Sequence, residues 1–250
     1  MKPMACIVLP TYLEAKNLPL LLPRIFSQQP EIPTHELHVL VVDDNSPDGT
    51  QDAVRQDMPR FPGRLHLLTG EKKGLGDAYQ RGIAHALKAL GPDLIFEMDA
   101  DLQHNPSLLP RFIEEANRGY SVVIGSRFVA GGATPDFPPH RRAISVVGNW
   151  LARRAAGLPD VRDITSGYRC LKADLLARCD LHHLATRGYA FQTSLLSELV
   201  RLGGRVVEIP IVFPDREFGR SKLSPRDYFE FLWILLKLRW ENRRHTAKEK

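Results

Sequence analysis

Apolar and polar positions follow two alternating patterns along the first half of the chain. Short runs such as ACIVL, LHVLVV and LIFEM consist mainly of β-branched or other apolar residues and predict buried strands. Segments of helical periodicity separate these runs. Strands that alternate with helices form largely parallel sheets, so this order predicts an α/β fold with helices on both faces of the sheet. The strands are predicted at 5–9, 37–42, 65–69, 94–98 and 122–125, and the helices at 18–27, 50–58, 75–90 and 107–118.

The pattern changes after residue 125. Residues 129–139 are rich in glycine and proline and predict a loop. A second loop, at 214–225, precedes a last helix at 226–240, which has a broad apolar face and is followed by a charged tail. Between the two loops, helices are predicted at 143–156, 173–178 and 192–202, and strands at 169–172 and 205–209.

Composition limits the classes of protein that fit this chain. The chain has 250 residues, of which 43% are hydrophobic and 25% charged, as expected for one sizeable globular α/β domain. The net charge of +5 suits phosphorylated substrates or an anionic membrane surface. No nucleic-acid-binding module is recognisable, so we expect no nucleic acid partner.

Cysteine usage and hydropathy indicate where the protein works. The three cysteines, Cys6, Cys170 and Cys179, match no zinc or disulfide pattern, which favours a reducing cytosol. The first apolar run ends at Pro10 and predicts a strand rather than a signal peptide. No window reaches the roughly 20 apolar residues that a spanning helix needs. We therefore expect a cytoplasmic protein that does not cross a membrane by itself.

The acidic motif MDADLQ directly follows the fourth predicted strand. Alternate residues of an extended chain share a face, so Asp99 and Asp101 can point towards one spot. Carboxylates at the carboxyl end of a parallel strand suit Mg²⁺ or Mn²⁺, and Gln103 can add a carbonyl oxygen. Such an ion would neutralise charge on a nucleoside diphosphate leaving group. The alternative for the motif alone is a polar turn that caps the next helix.

Two further motifs follow the first two predicted strands. In VVDDNSPDGT, Asp43 and Asp44 can accept hydrogen bonds from a base or a ribose, while Asp48 and Thr50 suit a turn and a helix start. In LPTYLEAKNL, Glu14 can hold ribose hydroxyls, and the alternative is that this segment only starts a helix.

Basic residues recur beside loops in the later part of the chain. Guanidinium groups suit phosphate oxygens because several of their N–H donors can bind at once. The alternative for each one is solvated surface charge. The set consists of Arg127, Arg141, Arg142, Arg216, Arg220 and Lys222.

Taken together, these motifs resemble family 2 glycosyltransferases of the GT-A fold, specifically polyprenyl-phosphate mannosyltransferases of the dolichyl-phosphate mannose synthase type. The resemblance runs from about residue 5 to residue 223. It depends on the order and spacing of PTYLEAKNL, VVDDNSPDGT, GLGDAY, MDADLQH, GSRFVAGG, DITSGYRC, GYAFQ and DREFGRSKL.

The resemblance implies a GT-A (Rossmann-like) domain over residues 1–223 and a role for each matching motif. The nucleoside site would be lined by Pro10, Tyr12, Glu14, Asp43 and Asp44. The metal, Mg²⁺ or Mn²⁺, would be held by Asp99, Asp101 and Gln103. The acceptor phosphate and the donor phosphates would meet Arg127, Arg141, Ser145 and Arg216, with Lys222 nearby.

The implied reaction is inverting transfer of mannose from GDP-mannose onto a polyprenyl monophosphate. The serious alternative is a UDP-sugar transferase that makes polyprenyl-phosphate glucose or an aminosugar. A nicotinamide dehydrogenase is disfavoured because GLGDAY lacks the dinucleotide fingerprint and follows the third predicted strand. An inactive lipid-anchored binding module is disfavoured because both metal carboxylates are present.

The chain departs from the family pattern at several positions. Leu13 stands where the family usually has asparagine, and Val146 replaces an arginine. Thr193 and Ser194 stand where an acidic residue often follows Phe-Gln. These departures affect the expected identity of the acceptor and of the sugar more than the expected class of reaction.

Residues 224–250 are predicted to form an amphipathic interfacial helix with a charged tail. The apolar face, its tryptophans and the trailing arginines suit peripheral attachment to the cytoplasmic face of a membrane. Packing on the core, on a twin subunit or on a membrane protein is the alternative for the same pattern.

Overall fold

One seven-stranded sheet forms the centre of the molecule in this computed structural model, which describes residues 2–184 and 188–214 together with Leu235 and Arg239. Every predicted strand is present, with ends within two residues of the prediction. The strands are β1 (Met4–Thr11), β2 (Glu36–Asp43), β3 (Leu65–Thr69), β4 (Leu94–Glu97), β5 (Val122–Ser126), β6 (Arg169–Lys172) and β7 (Val206–Pro210).

The sheet is mixed and largely parallel, in the order β3-β2-β1-β4-β6-β5-β7. Only β6 runs antiparallel to its neighbours, β4 and β5. The carboxyl ends of β1, β2, β4, β5 and β7 therefore lie along one edge of the sheet, where α/β proteins form their ligand crevice.

Within the described residues, seven α-helices cover both faces of the sheet. The first two and the fourth helix pack with one apolar cluster and the other four with a second cluster, so the core has two layers separated by the sheet. The helices are α1 (Leu18–Phe26), α2 (Thr50–Asp57), α3 (Leu75–His85), α4 (Leu109–Asn117), α5 (Pro139–Ala156), α6 (Ala173–Leu176) and α7 (Gly188–Arg201).

The predicted α/β fold class is thus confirmed, as are the helix positions within the described residues, with three local differences. Helix α7 begins at Gly188, four residues before the predicted start. Helix α5 begins at Pro139, four residues before the predicted start, because proline is well suited to the first turn of a helix, where its missing N–H has no partner to lose. Helix α3 ends at His85 and continues as a π-helical turn over Ala86–Leu90, which Gly91 closes with a φ of 67°.

Close packing at Gly82 sets the position of α3 on the sheet. A β-carbon at this position would lie 2.5 Å from Val8 Cγ1 and 2.8 Å from Val42 Cγ2. Only glycine therefore allows α3 to lie this near to β1 and β2. The same approach carries Tyr79 and Arg81 of α3 to the functional edge of the sheet.

Several predictions concern the C-terminal part of the chain. Arg216, Lys222, most of the predicted second loop, nearly all of the last helix and the tail lie outside the described residues, so the division at 223/224 stays a prediction. Of the helices described, none combines the length and the apolar composition needed to cross a bilayer.

Candidate active site

The segment that follows β4 brings Asp99, Asp101 and Gln103 to the carboxyl edge of the sheet. Asp101 and Gln103 are buried and Asp99 is half-buried. One Asp101 carboxylate oxygen accepts a hydrogen bond of 3.2 Å from the backbone N–H of Gln103. The side-chain amide of Gln103 donates to the carbonyl of Pro214. The motif therefore forms a tight loop. Its contact with Pro214 attaches this loop to the segment that follows β7.

Two buried side chains hold Asp99 in place. The Tyr79 hydroxyl of α3 donates to Asp99 Oδ1 at 2.9 Å, and the Asp99 backbone N–H donates to His104 Nδ1 at 3.0 Å. Burial, followed by the neighbouring Asp99 charge, raises the pKa of Tyr79, so its hydroxyl stays a proton donor. Burial lowers the pKa of His104 to about 4, which keeps the ring neutral and able to accept. Neither residue had been assigned a role from the sequence.

The donor set suits a hard divalent cation that shares its coordination with a substrate. Asp99, Asp101 and Gln103 offer only oxygen atoms, which Mg²⁺ and Mn²⁺ prefer. Among the described residues, no group of three or more His, Cys, Asp or Glu side chains is arranged to hold a metal alone. Two carboxylates fit an ion that takes its remaining ligands from phosphates and water.

Asp43, at the end of β2, is the acceptor of a dense set of hydrogen bonds. Its carboxylate accepts from the Thr11 hydroxyl at 3.1 Å, from the Ser46 hydroxyl at 2.6 Å and from the Gln51 amide at 2.8 Å. These contacts join the end of β1, the loop after β2 and the start of α2. Asp43 therefore fixes the shape of the predicted nucleoside site.

Asp44 is paired with a residue from α3. Its carboxylate binds Arg81, whose Nε also donates to Asp77 at 2.8 Å. Burial raises the pKa of Asp44 and outweighs the opposing effect of Arg81. Gly70 allows this arrangement, because a β-carbon there would lie 2.2 Å from an Arg81 nitrogen.

The other predicted nucleoside residues lie on or after β1. Pro10 is buried within the strand and pairs with Val42. Tyr12 is half-buried, with the Lys72 ammonium 3.5 Å from its ring centroid. Glu14 accepts a hydrogen bond of 2.6 Å from Asn17, which precedes α1. The structure thus brings Pro10, Tyr12 and Glu14 to the same edge as Asp43 and Asp44.

Three non-glycine residues of the described chain have positive φ angles, and all three lie in site loops. They are Leu13 after β1 at 62°, Asn45 after β2 at 52° and Leu102 after β4 at 67°. A leucine in this region is strained by roughly 1–2 kcal/mol, whereas asparagine tolerates it better. Leu13 is the position at which the family usually has asparagine. Strained residues of this kind persist where the surrounding loops hold them in place.

Arg127, at the end of β5, is bound within the chain. Its Nε and Nη2 each donate to Asp163 at 2.8 Å, and Nη2 also donates to the Thr165 hydroxyl at 2.9 Å. Burial alone would raise the pKa of Asp163, but the charge and hydrogen bonds of Arg127 hold that pKa below its usual range. Asp163 and Thr165 thus hold the Arg127 guanidinium in place. The expected contact of Arg127 with phosphate stays a prediction.

Arg141 and Ser145 lie one helical turn apart on α5 and share one side of it. Arg141 is half-buried, with its guanidinium 3.8 Å from the ring centroid of Phe137. The next ring, Phe213 after β7, lies 6.2 Å from Phe137, 5.5 Å from His104 and 5.7 Å from the guanidinium of Arg127. Phe213 therefore contacts His104 and Arg127 directly and is linked to Arg141 through Phe137.

A buried ion pair lies beside the loop that carries Asp99 and Asp101. Glu97 on β4 and Arg169 on β6 are both fully buried, and their charged atoms lie 3.9 Å apart. Arg169 also donates to the carbonyls of Gln192 and Ile164, each at 2.7 Å. Burial raises the pKa of Glu97 to about 7 against the effect of Arg169. Glu97 is the charged residue inside the apolar run LIFEM. Because a buried charge needs a partner, this position in the sequence indicates a buried pair.

Comparison with known families identifies the protein class. A model described as Glycosyl transferase family 2 matches residues 6–179. The chain belongs to this family. It is therefore a glycosyltransferase, as the combined motifs indicated. The chain is 43% identical over 217 residues to an undecaprenyl-phosphate mannosyltransferase of Micrococcus luteus, a match that covers 87% of this chain and 86% of that protein.

A further relative supports the family assignment, and two solved structures show the same fold. A polyprenol monophosphomannose synthase of Mycolicibacterium smegmatis is 38% identical, over 87% of this chain and 80% of that one. Mannosyl-3-phosphoglycerate synthase from Rubrobacter xylanophilus has a TM-score of 0.70 at 18% identity, covering 98% of this chain and 75% of that one. A Mn²⁺ and UDP complex of glucosyl-3-phosphoglycerate synthase from Mycobacterium tuberculosis has a TM-score of 0.66 at 18% identity, covering 94% and 80%. The predicted GT-A fold is thereby confirmed.

Proposed function

We propose that this glycosyltransferase moves mannose from GDP-mannose onto a polyprenyl monophosphate with inversion at the anomeric carbon. The observation that carries the proposal is the shared edge of the sheet, where Asp99 and Asp101 lie between the nucleoside loops and the loop leading to basic helix α5. The names of the two relatives, which describe mannose transfer to polyprenyl phosphates, support it.

In this proposal, Asp99, Asp101 and Gln103 hold Mg²⁺ or Mn²⁺. The bound ion supplies positive charge for the departing nucleoside diphosphate. Pro10, Tyr12, Glu14, Asp43 and Asp44 line the nucleoside site; Asp43 and Asp44 are already oriented by the hydrogen bonds described above.

The acceptor needs positioning rather than deprotonation. The second pKa of a phosphate monoester is about 6, so at neutral pH the acceptor oxygen is largely ionised. Arg141 and Ser145 on one side of α5 can orient this phosphate, and Arg127, Arg216 and Lys222 are proposed to add charge around it. In-line attack of the phosphate oxygen on C1 then inverts the anomeric centre. The acceptor is a lipid, so the protein works at the cytoplasmic face of a membrane as a peripheral protein.

A donor panel tests the proposal. The full chain is incubated with a polyprenyl monophosphate, Mg²⁺ or Mn²⁺, and radiolabelled GDP-mannose, UDP-glucose or UDP-N-acetylglucosamine in turn. Label is expected in the organic phase with GDP-mannose only. Label from a UDP-sugar instead would establish the alternative donor, and no label from any donor with either metal would contradict the proposed reaction.

Replacing Tyr79 with phenylalanine is expected to raise the Mn²⁺ concentration needed for half-maximal transfer by roughly tenfold. The variant removes the 2.9 Å hydrogen bond to Asp99 but keeps the aromatic ring, which stacks on Phe191. Loss of a partner that orients a metal ligand typically weakens metal affinity or activity by about 10–100-fold. The measurement is a metal titration of the transfer rate.

The matched control is Tyr168→Phe, which also removes a buried hydroxyl, one that donates to the Asn105 carbonyl at 3.1 Å. The control is expected to lower stability without changing the metal requirement. An unchanged metal titration for Tyr79→Phe would show that Tyr79 does not position the metal site.

A further inference from the structure

The segment at residues 162–165 has no regular secondary structure, and side chains from distant elements bind its backbone. The N–H groups of Arg162 and Asp163 donate to the carboxylate of Glu208 on β7, at 2.6 and 2.8 Å. Asp163 and Ile164 are fully buried. Buried backbone polar groups need partners, and here side chains supply the partners that a sheet or a helix would otherwise provide. We call residues 162–165 the anchor segment.

Asn149 of α5 binds the anchor segment with both ends of its side chain. Its Oδ1 accepts a hydrogen bond of 3.0 Å from the N–H of Ile164, and its Nδ2 donates to the carbonyl of Arg162. The side chain is buried, and its carboxamide both donates and accepts, as a backbone peptide group does in a sheet. Two hydrogen bonds therefore fix the position of α5 on the domain at this residue.

Asn149 is also the first buried residue of α5. Within the part of the chain that the structure describes, residues 139–148 are half-buried or exposed, whereas four residues of the second half of the helix are buried. Arg142, in the first turn, donates to the carbonyl of Thr134 at 3.1 Å, which joins it to the preceding loop. The direction of the first half of the helix therefore depends on how Asn149 is held.

The proposed acceptor-phosphate residues of α5 lie on this first half. Arg141 and Ser145 precede Asn149 at intervals of four residues, so the three side chains share one side of the helix. With a rise of about 1.5 Å per residue, Arg141 lies about 12 Å along the axis from Asn149. A tilt of about 10° at Asn149 would therefore move Arg141 by roughly 2 Å. Displacements of about 1 Å in an active site can lower the rate by about a hundredfold.

The anchor segment also holds the second basic group of the site. Asp163 accepts hydrogen bonds from the side chain and the backbone N–H of Arg127, and Thr165 accepts one from the Arg127 side chain. Asp163 and Thr165 flank Ile164, whose N–H is bound by Asn149. One short piece of backbone thus carries Arg127 directly and α5 through Asn149. The distance between the two basic groups therefore depends on this piece of backbone.

We propose that Asn149 is a positioning residue for the acceptor. It holds the first half of α5 so that Arg141 and Ser145 meet the same phosphate group as Arg127. The proposal rests on the proposed function, which assigns the acceptor phosphate to these residues. Asn149 acts through α5 and not on the predicted nucleoside site, which lies at the ends of β1 and β2. Its loss should therefore affect the acceptor and spare the donor.

The test compares Asn149→Ala with the wild type in steady-state kinetics of the full chain. The acceptor is a short, water-soluble isoprenyl monophosphate, so that access to a bilayer plays no part. The donor is the nucleotide sugar that labels lipid in the donor panel. We expect kcat/KM for the acceptor to fall by roughly tenfold to a hundredfold, while KM for the donor changes by less than about threefold.

The matched control is Gln29→Ala, beside the amino end of β2 and away from the carboxyl edge of the sheet. Gln29 also joins backbone segments with both ends of its side chain. Its Oε1 accepts from the N–H of Leu37 at 2.8 Å, and its Nε2 donates to the carbonyls of Ile32 and His35. This control is expected to lower the melting temperature to a similar extent and to leave the kinetic constants for donor and acceptor unchanged.

A double-mutant cycle with Arg141 separates positioning from a general loss of stability. Asn149→Ala should lower kcat/KM for the acceptor less in the Arg141→Ala background than in the wild type, because the group that Asn149 positions is already absent. Equal fold-changes in the two backgrounds would overturn the proposal. Equal losses for donor and acceptor in Asn149→Ala would also overturn it.

A second variant covers the case in which Asn149→Ala loses cooperative melting. The comparison then moves to Asn149→Asp, which retains an acceptor for the Ile164 N–H. Loss of folding in both variants would assign Asn149 to stability and overturn the proposal.

Binding of the same isoprenyl phosphate, measured by calorimetry without donor, repeats the comparison without turnover. Asn149→Ala is expected to bind it roughly tenfold more weakly than the wild type. A wild type that binds the phosphate but fails in the donor panel would contradict the proposed reaction alone. Unchanged binding by Asn149→Ala would contradict the role of Asn149 alone, and a wild type that does not bind the phosphate would contradict both.

Discussion

Replacing Asp101 with asparagine is expected to lower transfer by roughly a thousandfold or more while the fold survives. The side chain keeps its size, so the hydrogen bond that its Oδ1 accepts from the Gln103 N–H can persist. The loss is the negative charge that a divalent ion needs at this edge of the sheet. The measurement is the transfer rate over a range of Mg²⁺ and Mn²⁺ concentrations, with the melting temperature as a check of folding.

The matched control for this variant is Asp52→Asn on helix α2. Asp52 is exposed and forms a surface pair of 2.9 Å with Arg55, so its neutralisation should leave both rate and stability nearly unchanged. Near-normal turnover of Asp101→Asn at limiting metal concentration would remove Asp101 from the metal site.

Replacing Asp163 with alanine is expected to lower the free energy of unfolding by about 3–5 kcal/mol. The variant removes the Asp163 carboxylate that pairs with the buried Arg127 guanidinium, and with it the acceptor of the Arg127 backbone N–H at 3.0 Å. Urea unfolding followed by circular dichroism measures the change. Asp160→Ala, at an exposed position three residues earlier, is the control and should change stability by less than about 0.5 kcal/mol.

The same pair predicts how the effect depends on pH. The pKa of Asp163 in the folded state is held below its usual range, and the unfolded value is about 3.9. The stabilisation is therefore fully present above the unfolded value and is lost as the pH falls towards the folded value. The stability difference between wild type and Asp163→Ala should narrow below about pH 4. A difference that stays constant down to acid pH would contradict the assigned ion pair.

Local patterns in the sequence were sufficient for the elements of the fold and for the position of the acidic site. Each strand is a short apolar run and each helix has its own periodicity, so both can be recognised within one segment. Asp99 and Asp101 could be placed at a strand end because their motif directly follows the run that forms β4. Family resemblance then indicated the reaction class, which the family match confirmed.

The order of the strands and the partners of the site residues depended on the tertiary structure. The antiparallel insertion of β6 between β4 and β5 joins segments that are far apart in the chain, and no local pattern specifies such a pairing. For the same reason, the contacts of Tyr79 with Asp99, of Arg81 with Asp44 and of Arg127 with Asp163 were not predicted.

Burial also changes what a charged residue does. Arg127 resembled a phosphate ligand in the sequence, yet the folded chain surrounds its guanidinium with Asp163 and Thr165. Conversely, the sequence predicted a helix and two phosphate-binding residues in α5, but not the exposed apolar side that the fold leaves on it. Local motifs therefore indicate most of the residues that are able to take part in chemistry. The packing of distant segments decided which of them are paired, buried or exposed, because those properties depend on neighbours that lie far away in the chain.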